Sequence, residues 1–182
     1  MDDIVRQALA KWPNVPHCFG WLGLDERGNW YLRDDGVQSQ GAFSGGESPA
    51  KGSLLQHAKL IDFIGRNYES DARGQWFFQN GPQRVYVELA AAPWIFRVAC
   101  DYSVTTHTGE TARVQRCLVD DAGKVYLDAD VGLGLVHSQD VLNASEAIET
   151  GLWVPLACRV QELPGRFAFV KSPQALNGSL KN

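Results

Sequence analysis

The stretch Leu54–Leu89, LLQHAKLIDFIGRNYESDARGQWFFQNGPQRVYVEL, carries both periodicities from which the fold can be read. Ser53 followed three residues later by Gln56 forms a capping box and places a helix start there. Leu54, His57, Ala58, Ile61, Ile64, Gly65 and Tyr68 then recur at spacings of three and four, with Gln56, Lys59, Asp62 and Arg66 on the other side. One face of the helix is therefore buried, and His57 on that face reads as a hydrogen-bonded core histidine. After a polar break, Gln75 to Asn80 is aromatic-rich, and Gly81-Pro82 supplies a turn. In the next run Val85, Val87 and Leu89 point one way and Arg84, Tyr86 and Glu88 the other, because side chains alternate along a strand. Trp94, Phe96 and Val98 oppose Ile95, Arg97 and Ala99 in what reads as its neighbour. The expectation is a helix packed on an antiparallel sheet.

Working outward, Asp2 to Trp12 reads as a short helix with acidic residues at its positive end and Pro13 as its stop. His17–Leu24 and Asn29–Arg33 read as a hairpin whose tip, Asp25-x-x-Gly28, recurs at Asp71–Gly74 and Asp120–Gly123. In the second half the pattern predicts a hairpin over 117–127 and a helix from Ser138 through Glu149. Strands are predicted over 153–162 and 166–170. The fold class is α+β, with antiparallel sheets, one packed helix per half, and an internal duplication of a hairpin-helix-strands unit that equates residues 17–99 with 113–171. The corresponding organisation is an N-terminal helix (1–16), a first unit (17–110), a second unit (111–172) and a frayed tail (173–182).

A formal charge of −4 without clustered Lys and Arg argues against nucleic acid as a partner. No apolar run approaches the roughly 18–20 residues that span a bilayer, and Asp2 and Asp3 stand where a signal peptide would be basic, so the expected location is cytoplasmic, with no membrane association. Cys18, Cys100, Cys117 and Cys158 form no Cys-x-x-Cys pair and sit among apolar neighbours, as reduced core cysteines do. Asp120, Asp121, Asp128 and Asp130 lack the order of a calcium loop, and no histidine has ligand spacing to another donor. No metal or cofactor is expected.

Two places could hold a ligand. Between Asp34 and Ser53 lies a segment of about 20 residues with Gly36, Gly41, Gly45, Gly46 and Gly52. It reads as a mobile linker or as a lid in which Lys51 holds an anion at the helix start. It is not a P-loop, because the lysine precedes the last glycine. The second place is the strand face of Arg84, Tyr86 and Glu88, joined by Arg97. There a forked cation beside a phenol and a carboxylate suits a small acidic ligand. A wet antiparallel face with cross-strand charge pairs explains the same residues without a site. His17 beside Cys18 is no catalytic dyad, since neighbours in a strand face opposite ways.

The runs Ile64-Gly-Arg-Asn-Tyr68 and Gln75-Trp-Phe-Phe-Gln-Asn-Gly-Pro-Gln-Arg-Val-Tyr-Val-Glu-Leu89 resemble the core of a family of small uncharacterised proteins from proteobacteria. The resemblance covers about the first hundred residues. It implies a bacterial, cytosolic, metal-free protein and brings no activity or catalytic residue with it. The functional expectation is a binding or protein-interaction module, its partner a small anionic ligand or another protein. The alternative is a small enzyme acting on an anionic metabolite, with the glycine-rich segment as lid, Arg84 or Arg97 as clamp and Glu88 or His57 as base.

Overall fold

The alternating run at 84–89 becomes strand Gln83–Leu89, an inner strand of a six-stranded sheet in the computed structural model. Residues 1–12, 14–44 and 48–179 are described; Pro13, Gly45, Gly46, Glu47 and the tail from Leu180 lie outside the described residues. The chain is α+β and divides into two units. Unit 1 holds residues 1–25, 29–90 and the stretch from Phe169; unit 2 holds residues 26–28 and 91–168.

Unit 1 opens with α1 (Asp3–Lys11) and continues through β1 (Cys18–Leu24), β2 (Trp30–Leu32), α2 (Asp35–Gln38), α3 (Ser48–Lys51) and β3 (Ser53–Leu54). Then come α4 (Ala58–Arg66), β4 (Tyr68–Ser70), β5 (Trp76–Asn80) and β6 (Gln83–Leu89). The sheet order is β3-β2-β1-β6-β5-β4, with β1 and β6 parallel and every other pair antiparallel. A bulge between Cys18 and Leu22 breaks the β1–β6 register. Gly20 lies in it at φ +80°, where an added Cβ would stand 2.5 Å from the Gln174 side chain.

One face of this sheet carries Leu22, Leu24, Trp30, Tyr68, Phe78, Val87 and Leu89, all buried, beneath Ile64 of α4. Phe63 of α4 meets Phe78 edge-on at 5.5 Å. Trp30 of β2 touches Tyr68 of β4 at 5.3 Å although three strands lie between them in the sheet, so the sheet curls around this core. The helix starts later than the capping-box reading placed it. Ser53–Leu54 pairs with β2 as an edge strand, and Nδ1 of His57 accepts from Leu60 N as the N-cap of α4. His57 is therefore an exposed cap and not a core histidine.

Unit 2 contains β7 (Trp94–Val98), β8 (Val104–Thr106), β9 (Thr111–Ala112), β10 (Val114–Asp120), β11 (Val125–Ala129) and β12 (Gly132–Val136). They are followed by α5 (Val141–Glu149), β13 (Pro155–Cys158), a short 3-10 turn at Val160–Glu162 and α6 (Leu163–Arg166). The sheet order is β13-β10-β11-β12-β7-β8-β9, with the β7–β12 and β10–β13 pairs parallel. Asp140 stands at the cap position of α5, and the strands predicted over 153–162 and 166–170 shrink to β13 alone.

The two sheets share a strand order, consistent with a two-part duplicated chain. In each unit a three-strand meander is joined to a second one through a parallel pair between the first strand of the first and the last strand of the second. The equivalence is β1–β6 with β7–β12, so the proposed matching of 17–99 with 113–171 is corrected. The helices misled that matching, because α4 falls between the meanders of unit 1 while α5 follows the second meander of unit 2.

The recurrent Asp-x-x-Gly is a hairpin tip at all three positions. Asp25, Asp71 and Asp120 each accept from the backbone N–H four residues on, at 2.8–3.0 Å, and Gly28, Gly74 and Gly123 take φ of +73° to +78°. All four cysteines are free; Cys117 and Cys158 are buried, but Cys100 is exposed and is not a core residue. No helix among the described residues is long and apolar enough to cross a membrane.

Candidate functional site

The outer face of β6 differs along its length. At its C-terminal end Glu88 is buried beneath a helix, Pro173–Ser179, in the stretch read from sequence as a frayed tail. Ser172 Oγ donates to Glu88 Oε2 at 2.5 Å and Gln174 N to Oε1 at 2.9 Å. Burial pushes the Glu88 carboxyl up, against those two hydrogen bonds and the charge of Arg33. Arg33 is fully buried: its Nε donates to Ala50 O at 2.8 Å, Nη2 to Gly41 O at 2.6 Å and Nη1 to Gly20 O at 3.3 Å. Gln174 stands between the two charged groups, its Oε1 3.5 Å from Arg33 Nη1 and its N–H on Glu88. The charges at this end hold Gly41, Ala50 and the C-terminal helix onto the sheet, so Glu88 is neither part of a wet face nor a free base.

The glycine-rich segment is fastened as well. Lys51 Nζ bonds Asp25 Oδ2 at 3.2 Å and lies 4.5 Å from the Tyr31 ring. Burial works against its charge, but Asp25 and Tyr31 hold its pKa above the ordinary value. Gly52 sits at φ +87°, with Leu32 O where a Cβ would go. Lys51 is thus committed to a carboxylate, and the described part of the segment is a packed cover with two short helices.

The other end of the face is open. Arg84, Tyr86, His17 and the Asp71–Arg73 turn line a shallow cleft of about 570 Å³. Tyr86 is held on all sides: Phe19 stacks on it at 4.6 Å and 6°, His17 meets it edge-on at 5.8 Å, and its hydroxyl donates to Asp71 Oδ2 at 3.1 Å. Asp71 also accepts from the N–H groups of Arg73 and Gln75 and from the Gln75 amide. Its charge is spread over four donors. Arg84 lies over the Phe77 ring at 4.4 Å and makes no ion pair among the described residues. Burial, and then the Arg84 charge, lower the His17 pKa, with Asp71 opposing.

Arg97 does not join this group. It lies on β7 in unit 2, where its Nε donates to Asp140 Oδ2 at 2.5 Å and its Nη2 to Oδ1 at 3.1 Å. Of the six residues expected to bind a ligand, Arg84 and Tyr86 share the cleft. Glu88, Lys51, Arg97 and His57 are each engaged elsewhere. His17, weighed only as a partner of Cys18, Asp71, read only as a hairpin tip, and Arg73 complete the cleft. Pairing across β5–β6 sets Phe77 opposite Tyr86, and that long-range register brings the Asp71 turn to the phenol.

The sequence model of the DUF2944 family, described as "Protein of unknown function (DUF2946)", matches residues 1–174. The chain belongs to that family. Two solved structures are similar in fold, both of DUF1285 family proteins. The one from Silicibacter pomeroyi DSS-3 is 13% identical, with 80% of this chain and 84% of that chain covered at a TM-score of 0.48. The one from Shewanella baltica OS155 is 16% identical, with 69% and 91% covered at a TM-score of 0.45. No curated protein matches. The family is one of unknown function, and the functional reading rests on the geometry of the chain.

Proposed function

We propose that this protein is a binding module that takes a small anionic ligand in the unit 1 cleft. The observation that carries the reading is Arg84: a guanidinium laid on an aromatic ring, facing a cleft, with no carboxylate paired to it among the described residues. Arg73 adds a second cation, while Asp71 is occupied by its four donors. A cation fixed by stacking offers its N–H edge to an oxyanion at little further entropy cost. Binding is preferred to catalysis because the bases first considered, Glu88 and His57, are tied to the C-terminal helix and to the cap of α4. A cytoplasmic, bacterial setting belongs to the same reading; the free cysteines fit a reducing compartment.

A thermal-shift screen of phosphate, sulfate and carboxylate ligands tests this. A ligand bound only by the folded state adds about 2.7 kcal/mol when present at one hundred times its Kd. At least one oxyanion is expected to raise the melting temperature of the wild type, with the rise abolished in Arg84→Ala and reduced in Arg73→Ala. No rise with any anion, or an equal rise in Arg84→Ala, would overturn the reading.

A second reading, a protein-binding face, is favoured by one observation in unit 2. Leu152, Val154 and Leu156 line a groove of about 360 Å³ beside edge strand β13 and are 57%, 73% and 47% exposed.

A further inference from the structure

The unit 1 cleft has a charge inventory that narrows its ligand, and the inference rests on the binding reading above. Its fixed charges are Arg84 on β6 and Arg73 and Asp71 at the β4–β5 turn. Asp71 is consumed internally: one oxygen closes its own turn, and the other takes the Gln75 amide and the Tyr86 hydroxyl. The equivalent turn at Asp25 behaves alike, with one oxygen on Asn29 N and the other taking the Asn29 amide and Lys51 Nζ. Asp71 is therefore a structural turn residue whose second oxygen fixes Tyr86, and it leaves the two arginines facing the cleft.

His17 is the remaining titratable group that lines the cleft beside them. Its imidazole stands edge-on to Tyr86, and no other partner is defined for it among the described residues. Burial, and then Arg84, disfavour a proton there, with Asp71 opposing, so in the empty cleft the His17 pKa lies below its ordinary value. An anion placed against Arg84 reverses that influence. Hydrogen bonding leaves the Asp71 charge in place, so the two arginines and this carboxylate give the cleft one net positive charge, which a singly charged anion neutralises. A doubly charged one leaves a net negative charge that favours a proton on His17.

We propose that the cleft selects a doubly charged oxyanion, of the phosphomonoester or sulfate kind, and takes up one proton on His17 as the ligand binds. The atoms balance: solvent supplies the proton, the imidazole ring nitrogen that lacks hydrogen receives it, and no covalent bond to the ligand forms or breaks. Reciprocity then requires that lowering the pH tighten the ligand, by up to tenfold per pH unit while His17 titrates between its free and bound pKa.

Sulfate is the suitable probe because it stays doubly charged from pH 5.5 to 8, so any pH dependence belongs to the protein. Calorimetric titrations of the full chain with sodium sulfate and sodium methanesulfonate, at fixed ionic strength and at pH 6 and 7.5, provide the test. Sulfate is expected to bind at least threefold tighter at pH 6, and methanesulfonate to bind more weakly at both. His17→Gln is expected to retain sulfate binding but lose the pH dependence. Sulfate affinity that is unchanged with pH, a pH dependence that survives His17→Gln, or equal affinity for the two anions would overturn the inference while leaving an anion-binding cleft. Absence of binding by either anion at both pH values would overturn both readings.

Discussion

Replacing Arg33 by alanine is expected to cost about 3–5 kcal/mol of stability, the range found when one partner of a buried charged network is removed. The carbonyl oxygens of Gly20 and Ala50 would lose their donor in a buried site and that of Gly41 in a part-buried one, and Glu88 would lose the cation that offsets its charge. Arg33→Lys is expected to recover little, because one ammonium cannot reach three carbonyls spread around a planar fork. Urea denaturation followed by circular dichroism measures the change. A loss below about 1 kcal/mol would mean that the segment and the C-terminal helix are held by something other than Arg33.

Asp140→Ala is the second large effect, at about 2–3 kcal/mol. Asp140 is buried and accepts from Val98 N at 3.1 Å as well as from both arms of Arg97, so its removal orphans a backbone N–H inside unit 2. Arg97→Ala is expected to cost less than about 1 kcal/mol, because its guanidinium is half exposed and its pairing is screened. The sign of the pH effect follows from the direction of the Asp140 shift. The Arg97 hydrogen bonds hold its pKa below the ordinary 3.8, against burial and with help from Val98 N–H. The contribution is therefore complete above pH 3.8 and is lost as the pH falls through the depressed folded-state value. Asp140→Ala should lose most stability near neutral pH and converge on the wild type in acid. A difference that grows as the pH falls would contradict this.

Local chemistry was legible in the sequence and long-range pairing was not. The α+β class, the three Asp-x-x-Gly hairpin tips and the alternation of β6 follow from nearest-neighbour physics, and all three stand in the fold. The helix at Leu54 failed at its start because Ser53 and Leu54 satisfy their backbone groups against Tyr31 and Leu32, a tertiary partner that no capping signal reveals. Pairing of successive strands would set Arg97 beside Arg84. Here β6 pairs with β1 and β7 with β12, through parallel contacts that skip the chain order. The stretch taken for a tail became a helix because Glu88, 84 residues away, accepts from Ser172. Arg33 carries no local signature at all, since three scattered carbonyls define its role. In the cleft, Arg84 and Tyr86 were found by strand alternation, whereas His17 needed the β1–β6 pairing to bring it near them.

The chain has four histidines, His17, His57, His107 and His137, and only His17 lines the cleft, so their imidazole resonances report directly on whether an anion binds there. Inorganic phosphate titrated at constant pH is expected to shift the His17 ring signals and the Arg84 Nε–Hε cross-peak along one saturable curve, while His57, His107 and His137 stay in place. No saturable movement at His17 and Arg84, or movement confined to the other three histidines, would contradict anion binding in the unit 1 cleft.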